Sequence, residues 1–307
     1  MKGIVVLALT LGLLLSASAT AKHRRHHPRS RAHAAKVHAV NGDLALPSLD
    51  FIFLTAADGS SPSLLCGTTL DPPPCFSPVF SPDGTRIAYE RYADPGGGIR
   101  IRDLGTGAET VVTTNNEAPY SWTPDGARIL FSENLGGIWS VPVSGGTPTQ
   151  ILPYGRDPEP SPDGSKIAFD SCPPTGGICL ANADGTGVEV LSAAGPSAWG
   201  PDWSPDGTKL VYTLAAAGSH SEGSLFTMSR NGGGVRRLAP YGGVFFPIWS
   251  PDGTDILFAG NPVRGEPPCQ GVQTDCYMTI RAAGGDAVQV VRYDEYVARP
   301  SWQPLPR

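Results

Sequence analysis

Residues 247–259 read PIWSPDGTDILFA, and the same string returns along the chain with small changes. Ser-Pro-Asp-Gly stands at 81–84, 161–164, 204–207 and 250–253, with a Thr variant at 123–126 and a degenerate sixth copy in PSWQP at 300–304. The mean spacing is about 44 residues, the size of a four-stranded propeller blade. Proline at the second turn position presets φ, Asp tolerates the third, and Gly takes the left-handed position, so each copy predicts a tight turn between two strands. Upstream lies Pro-x-aromatic, as in Pro201-Asp-Trp203 and Pro300-Ser-Trp302. Downstream lie the alternating segments RIAYE, RILFS, KIAFD, KLVYT and DILFA. These are strands a and b of each blade.

Between the turns sits a second unit of strand, Gly-rich turn and strand, as in IRIRDLGTGAETVV and LFTMSRNGGGVRRL, which supplies strands c and d. FIFLTAADGSSPSLL, before the first Ser-Pro-Asp-Gly, is a sixth c–d hairpin, and residues 41–46 precede it as a turn end plus strand b. The chain then ends on a lone strand a at 298–303. The expected fold is therefore all-β, a six-bladed propeller with four-stranded antiparallel blades over residues 39–307. One composite blade from both termini closes it, because an open ring would leave a sheet edge and an apolar face unpaired. Trp122, Trp203, Trp249 and Trp302 recur at one repeat position and read as inter-blade packing. The extra residue in Pro119-Tyr-Ser-Trp122 reads as a local bulge.

This Pro-x-Trp-Ser-Pro-Asp-Gly-Thr-x-Ile-Ala-Phe pattern resembles the WD40-like β-propeller repeat of the TolB-like family of exported bacterial proteins. The resemblance spans residues 41–307 and implies the fold; the family includes binding propellers and propellers attached to peptidases. The α/β domain that precedes the propeller in TolB has no counterpart expected here, which argues against carrying over a Tol-Pal role.

The 307 residues include 38 Gly and 31 Pro, which disfavours long helices. Lys2, the apolar run 4–15 and the small residues 16–21 have the three parts of a secretory signal peptide, residues 1–21, too short for a bilayer span. The expected location is secreted or periplasmic, with no transmembrane segment after cleavage. Residues 22–38 hold five of the six His and six Lys/Arg, a basic, disordered tail. It offers metal binding through His23, His26, His27 and His33, or attraction to anionic envelope polymers, against the plainer reading of a solvated linker. The remainder carries 16 Lys/Arg against 28 Asp/Glu, a net −12 that opposes nucleic-acid binding.

Up-and-down blades sort their connections. The a–b and c–d turns fall on one face, stereotyped by Ser-Pro-Asp-Gly and glycine. The b–c and d–a loops fall on the other, irregular at 91–98, 133–137, 171–177, 214–224 and 260–276, and variable loops on a rigid scaffold concentrate binding. Six cysteines allow 15 connectivities. The local pairs Cys66 with Cys75, Cys172 with Cys179 and Cys269 with Cys276 are the simplest, and all three map to this irregular face of an exported chain.

Asp157, Glu159 and Asp202 stand near the starts of strands a, with Arg299 across from them, as candidate binding residues at the channel mouth for a cation or basic peptide. The Asp of each Ser-Pro-Asp-Gly reads as turn chemistry, and Asp184-Gly185 lacks the alternating acids of a calcium loop. A nucleophile elbow, a phosphate loop and a zinc His pair are missing from residues 39–307, where His220 is the sole histidine. No catalytic residue, cofactor or metal is assigned. The expectation is a monomeric, non-enzymatic binding module for an unidentified protein or peptide; the alternative is a carbohydrate hydrolase or lyase using the acidic channel residues.

Overall fold

Six sheets of four antiparallel strands make up the computed structural model, which describes residues 41–48, 50–67, 74–93, 96–132, 137–215, 223–239, 243–260, 276–292 and 298–305. The expected signal peptide, the basic tail, His220 and Cys269 lie outside these residues. Blade I runs through Cys75–Phe80, Arg86–Arg91, Gly98–Asp103 and Glu109–Val111 as strands a to d. Blade III is Arg156–Pro160, Lys166–Asp170, Cys179–Asn182 and Glu189–Val190, and blade IV is Ala198–Trp203, Lys209–Ala215, Gly223–Ser229 and Arg236–Ala239. Blades II and V follow the same plan from Ser121–Trp122 and Val244–Trp249.

Blade VI is the composite. Its strand a, Ser301–Trp302, pairs with Leu44–Ser48 through Ala45 opposite Ser301 and Leu44 opposite Trp302, and Phe51–Thr55 and Ser63–Cys66 complete the sheet. The Trp302 indole donates to the Gly42 carbonyl at 3.1 Å, and the Gln303 amide donates to the Asp43 carbonyl at 2.8 Å. The two ends of the ring are thereby stitched into one sheet.

Stacking of blades explains the burial pattern. Strands b read as alternating in sequence, yet Ile87, Ala88 and Tyr89 are all fully buried, because an inner strand is covered on both faces by neighbouring blades. Strand d of blade I is exposed along its whole length. The hydrophobic clusters lie between blades: Val79, Ala88 and Ile99 pack on Trp122, Ile129 and Phe131, and across the closure Ala45 and Ile52 pack on Phe80 and Tyr89. Each fully buried large side chain contributes roughly 1.5–3 kcal/mol. Tryptophan also fastens blade to blade, as Trp122 and Trp203 donate their indole N–H at 3.0 Å to the carbonyls of Val79 and Glu159 in the preceding blade.

The repeated turn has one chemistry. In 81–84 the Ser81 hydroxyl donates to Asp83 Oδ1 at 2.6 Å and accepts the Arg86 amide at 3.0 Å, while Asp83 Oδ1 also accepts the Thr85 amide. Gly84 closes the turn at φ +69, where a side chain is disfavoured. These hydrogen bonds hold the Asp83 and Asp163 carboxyls down at about 2. Asp184 is likewise a turn acceptor, taking the Thr186 amide and hydroxyl.

Bulges occur where the sequence did not place them. Strands a of blades I, III, IV and V each shift register beside a left-handed residue, Ser77, Asp157, Gly200 or Phe246, that immediately precedes a proline. Proline has no N–H for the ladder, so the bulge leaves it unpaired without breaking the strand. Blade II, where the extra residue suggests a bulge, also departs from simple register: Ser121 pairs with Leu130, and the Tyr120 amide donates to that same Leu130 carbonyl at 2.9 Å, so two residues of strand a face one of strand b.

Candidate functional site

The residue before each strand-a aromatic position, Val79, Ser121, Glu159, Asp202, Ile248 and Ser301, lines one central cavity of about 450 Å³, bordered by the turn prolines. Ser301 and Asp202 act as clasps to the next blade, accepting the Phe80 amide at 3.0 Å and the Trp249 amide at 2.7 Å. In blade III the aromatic position is Pro160, which has no amide hydrogen, and the Ser121 hydroxyl donates instead to the Pro158 carbonyl at 2.5 Å.

Arg299 crosses this channel. It leaves blade VI, donates through Nη2 to Glu159 Oε2 of the opposite blade at 3.0 Å and through Nη1 to the Tyr120 carbonyl at 2.6 Å, and lies over the Tyr120 ring at 4.0 Å. Its side chain is 14% exposed. Burial pushes the Glu159 carboxyl up, and Arg299 opposes that rise. Asp202 is also raised by burial against the same guanidinium, and the surrounding carboxylates hold Arg299 firmly charged.

Asp157 is within electrostatic reach of Arg299 but does not line the central cavity. It lines a second cavity of about 620 Å³ between blades III and IV, on the face of the b–c and d–a loops. There its carboxyl hydrogen-bonds to that of Asp170, and burial followed by the Asp170 charge raises it. Asp170 Oδ2 in turn accepts the Gly200 amide at 2.9 Å. Of the four site residues expected from sequence, the structure therefore brings Glu159, Asp202 and Arg299 together and pairs Asp157 with Asp170. Among the described residues no group of three or more His, Cys, Asp or Glu is placed to hold a metal ion.

Both fully described disulfides, Cys66–Cys75 and Cys172–Cys179, lie on the loop face. Cys276 is disulfide-bonded as well, at the loop-face end of its strand. A family model described as the TolB β-propeller domain matches residues 52–305.

The chain belongs to the TolB β-propeller family. A TolB crystal structure from Acinetobacter baumannii superposes with TM-score 0.72 at 23% identity over 86% of this chain and 67% of that one. A putative TolB from Agrobacterium tumefaciens gives 0.61 at 18% identity over 86% and 99%. An oligogalacturonate lyase solved with manganese gives 0.53 at 13% identity over 82% and 74%, a likeness of fold. In sequence, an uncharacterised protein of Agrobacterium fabrum (Atu1656) is 30% identical over 182 residues, 52% of this chain and about 60% of that relative's length. Within this TolB-type ring, sequence reasoning missed Tyr120, Asp170 and the aromatic group Trp199, Phe245 and Phe246. Tyr120 was signalled by a break in the repeat, since it replaces the proline found at 78, 158, 201, 247 and 300.

Proposed function

We propose that the chain is an exported binding propeller that engages a protein or peptide of the cell envelope or extracellular space through its loop face, without catalysing a reaction. The observation that carries this reading is the 620 Å³ cavity opening on the face where the described disulfides lie. Cavities of this size on a rigid scaffold suit recognition, and disulfides stiffen loops while marking an oxidising compartment. The leader-like residues 1–21 support export. The alternative of an acidic-channel hydrolase or lyase is less well served, because Arg299 holds Glu159 and backbone amides hold Asp170 and Asp202.

The test places one bulky charge on each face of the full chain. Ser197→Arg alters the exposed rim of the loop-face cavity, and Ser144→Arg alters an exposed glycine-rich turn on the opposite face. Capture of partners from an envelope extract should fall at least about tenfold with Ser197→Arg and stay unchanged with Ser144→Arg. The reverse pattern, or equal capture by both variants, overturns the face assignment.

A further inference from the structure

Blade III breaks the pattern that seals the other blade interfaces. Elsewhere the strand-a aromatic packs on the blade before it, as Trp122 does on Ile99 and Ile101 and Trp203 on Ile178 and Leu180; Phe80, Trp249 and Trp302 do the same. In blade III this position is Pro160. Blade II meets it with Ser140, where the matching strand-c register elsewhere holds Leu54, Ile101, Leu180, Thr227 and Thr279. Both losses of side-chain volume fall on one interface, and a cavity of about 640 Å³ lies there. Leu130, Ser140, Pro160 and Ile167 form its buried floor, and its exposed rim includes Asp125 and Asp163 of the a–b turns and Ala183. Arg128 shows the same gap from the other side. Its counterpart in blade I, Arg86, lies over the Trp122 ring of blade II at 5.0 Å. The repeat sets Pro160 ahead of Arg128, which instead donates through Nε and Nη2 to the Ser140 hydroxyl at 3.1 and 2.9 Å and is held at the cavity wall.

We propose that this cavity binds a small uncharged molecule bearing an aromatic ring, seated where the other interfaces hold an aromatic side chain of their own and covered by the Arg128 guanidinium. The site goes beyond the loop-face reading, since it lies on the side of the Ser-Pro-Asp-Gly turns and uses none of the loop-face residues. The charges that line it cancel, Arg128 and Lys166 against Asp125 and Asp163, so neither an anion nor a cation is selected. Its polar wall is also engaged within the chain. Asp125 accepts the Thr123 hydroxyl and the Ala127 amide, Asp163 accepts the Ser161 hydroxyl and the Ser165 amide, and the Lys166 ammonium donates to Asn182. What remains for recognition is the apolar floor and the face of Arg128. An aromatic ring uses both, by burying its surface on the floor and presenting its π face to the guanidinium; a saturated ring of the same shape uses only the first. About 640 Å³ holds a bicyclic ring with a short substituent. Residues 1–40 contain no Phe, Tyr or Trp, so the chain's own N-terminal segment cannot supply the ring.

The probes are 2-naphthylmethanol and its decahydro analogue, which share a skeleton and carry no charge; only the first is aromatic. Titrated calorimetrically into the full chain, the naphthyl alcohol should bind about fivefold or more tightly than the saturated alcohol. Arg128→Gln should erase that preference, because it removes the cation and keeps a polar side chain of similar reach. Pro160→Trp, which restores the repeat and fills the cavity, should abolish binding of both alcohols. Ala183→Arg, a bulky change at the exposed rim that leaves the buried floor untouched, should weaken both by about tenfold or more and decides the matter if Pro160→Trp does not fold. No binding of the naphthyl alcohol, equal affinity for the two alcohols, a preference kept in Arg128→Gln, or undiminished binding in Ala183→Arg or in folded Pro160→Trp overturns the proposal.

Discussion

Arg299→Leu is expected to destabilise the protein by about 3–5 kcal/mol at about pH 8 and by much less at about pH 5. The residue is the sole cation contacting Glu159 across the channel among the described residues, and its charge opposes the rise of the Asp157, Glu159 and Asp202 carboxyls. Those carboxyls are raised above the ordinary range near 4. Above that range the folded protein holds protons that the unfolded chain has released, so folding weakens as pH rises through the window. Without Arg299 the carboxyls rise further. At the lower pH they can stay neutral, but at the higher pH they are either charged without a partner or protonated at greater cost. The turn carboxyls Asp83 and Asp163 work in the opposite direction, losing their stabilising effect only as pH falls from about 4 towards about 2. Urea unfolding at both pH values measures the difference, and losses that are small and equal would contradict the role given to Arg299. Arg299→Lys should fall between, since one ammonium cannot serve both the Tyr120 carbonyl and Glu159 in fixed geometry.

Trp302→Ala should cost about 3–5 kcal/mol, matching Trp203→Ala in the middle of the chain. Five residues from the C-terminus, a substitution would ordinarily move stability by about 0.5 kcal/mol or less, because chain ends fray. Trp302 instead is 6% exposed, packs with Leu44 and Leu46 of the N-terminal strand and with Ile248 of blade V, and donates to Gly42. Thermal or urea unfolding of the two alanine variants side by side tests this. A neutral Trp302→Ala beside a damaging Trp203→Ala would mean that blade VI is not part of the cooperative ring.

Blade number, closure and the division into two faces were legible because they follow from a repeated turn chemistry and from counting strands around a ring. The candidate site was legible only in part. Glu159 and Asp202 could be found because they occupy the same repeat position as Val79 and Ile248, and a charge there stands out. The Asp157–Asp170 pair could not: it joins the start of strand a to the end of strand b through a bulge, and one inserted residue changes which way Asp157 faces. Trp199 and Phe246 were hidden by the same device. Propensity gives no warning of a phenylalanine at φ +52, since only the surrounding sheet holds it there.

Closure by both termini underlies the whole account, since the closing strand carries Arg299 into the channel and completes the ring that fixes the loop face. Native-state hydrogen exchange of the Leu44, Ala45, Leu46 and Ser48 amides and of Gln303 reads it directly. These amides should exchange only through global unfolding, with the same opening free energy as the strand Lys166–Asp170 in blade III. Rapid exchange of the terminal amides while blade III stays protected would contradict a closed ring.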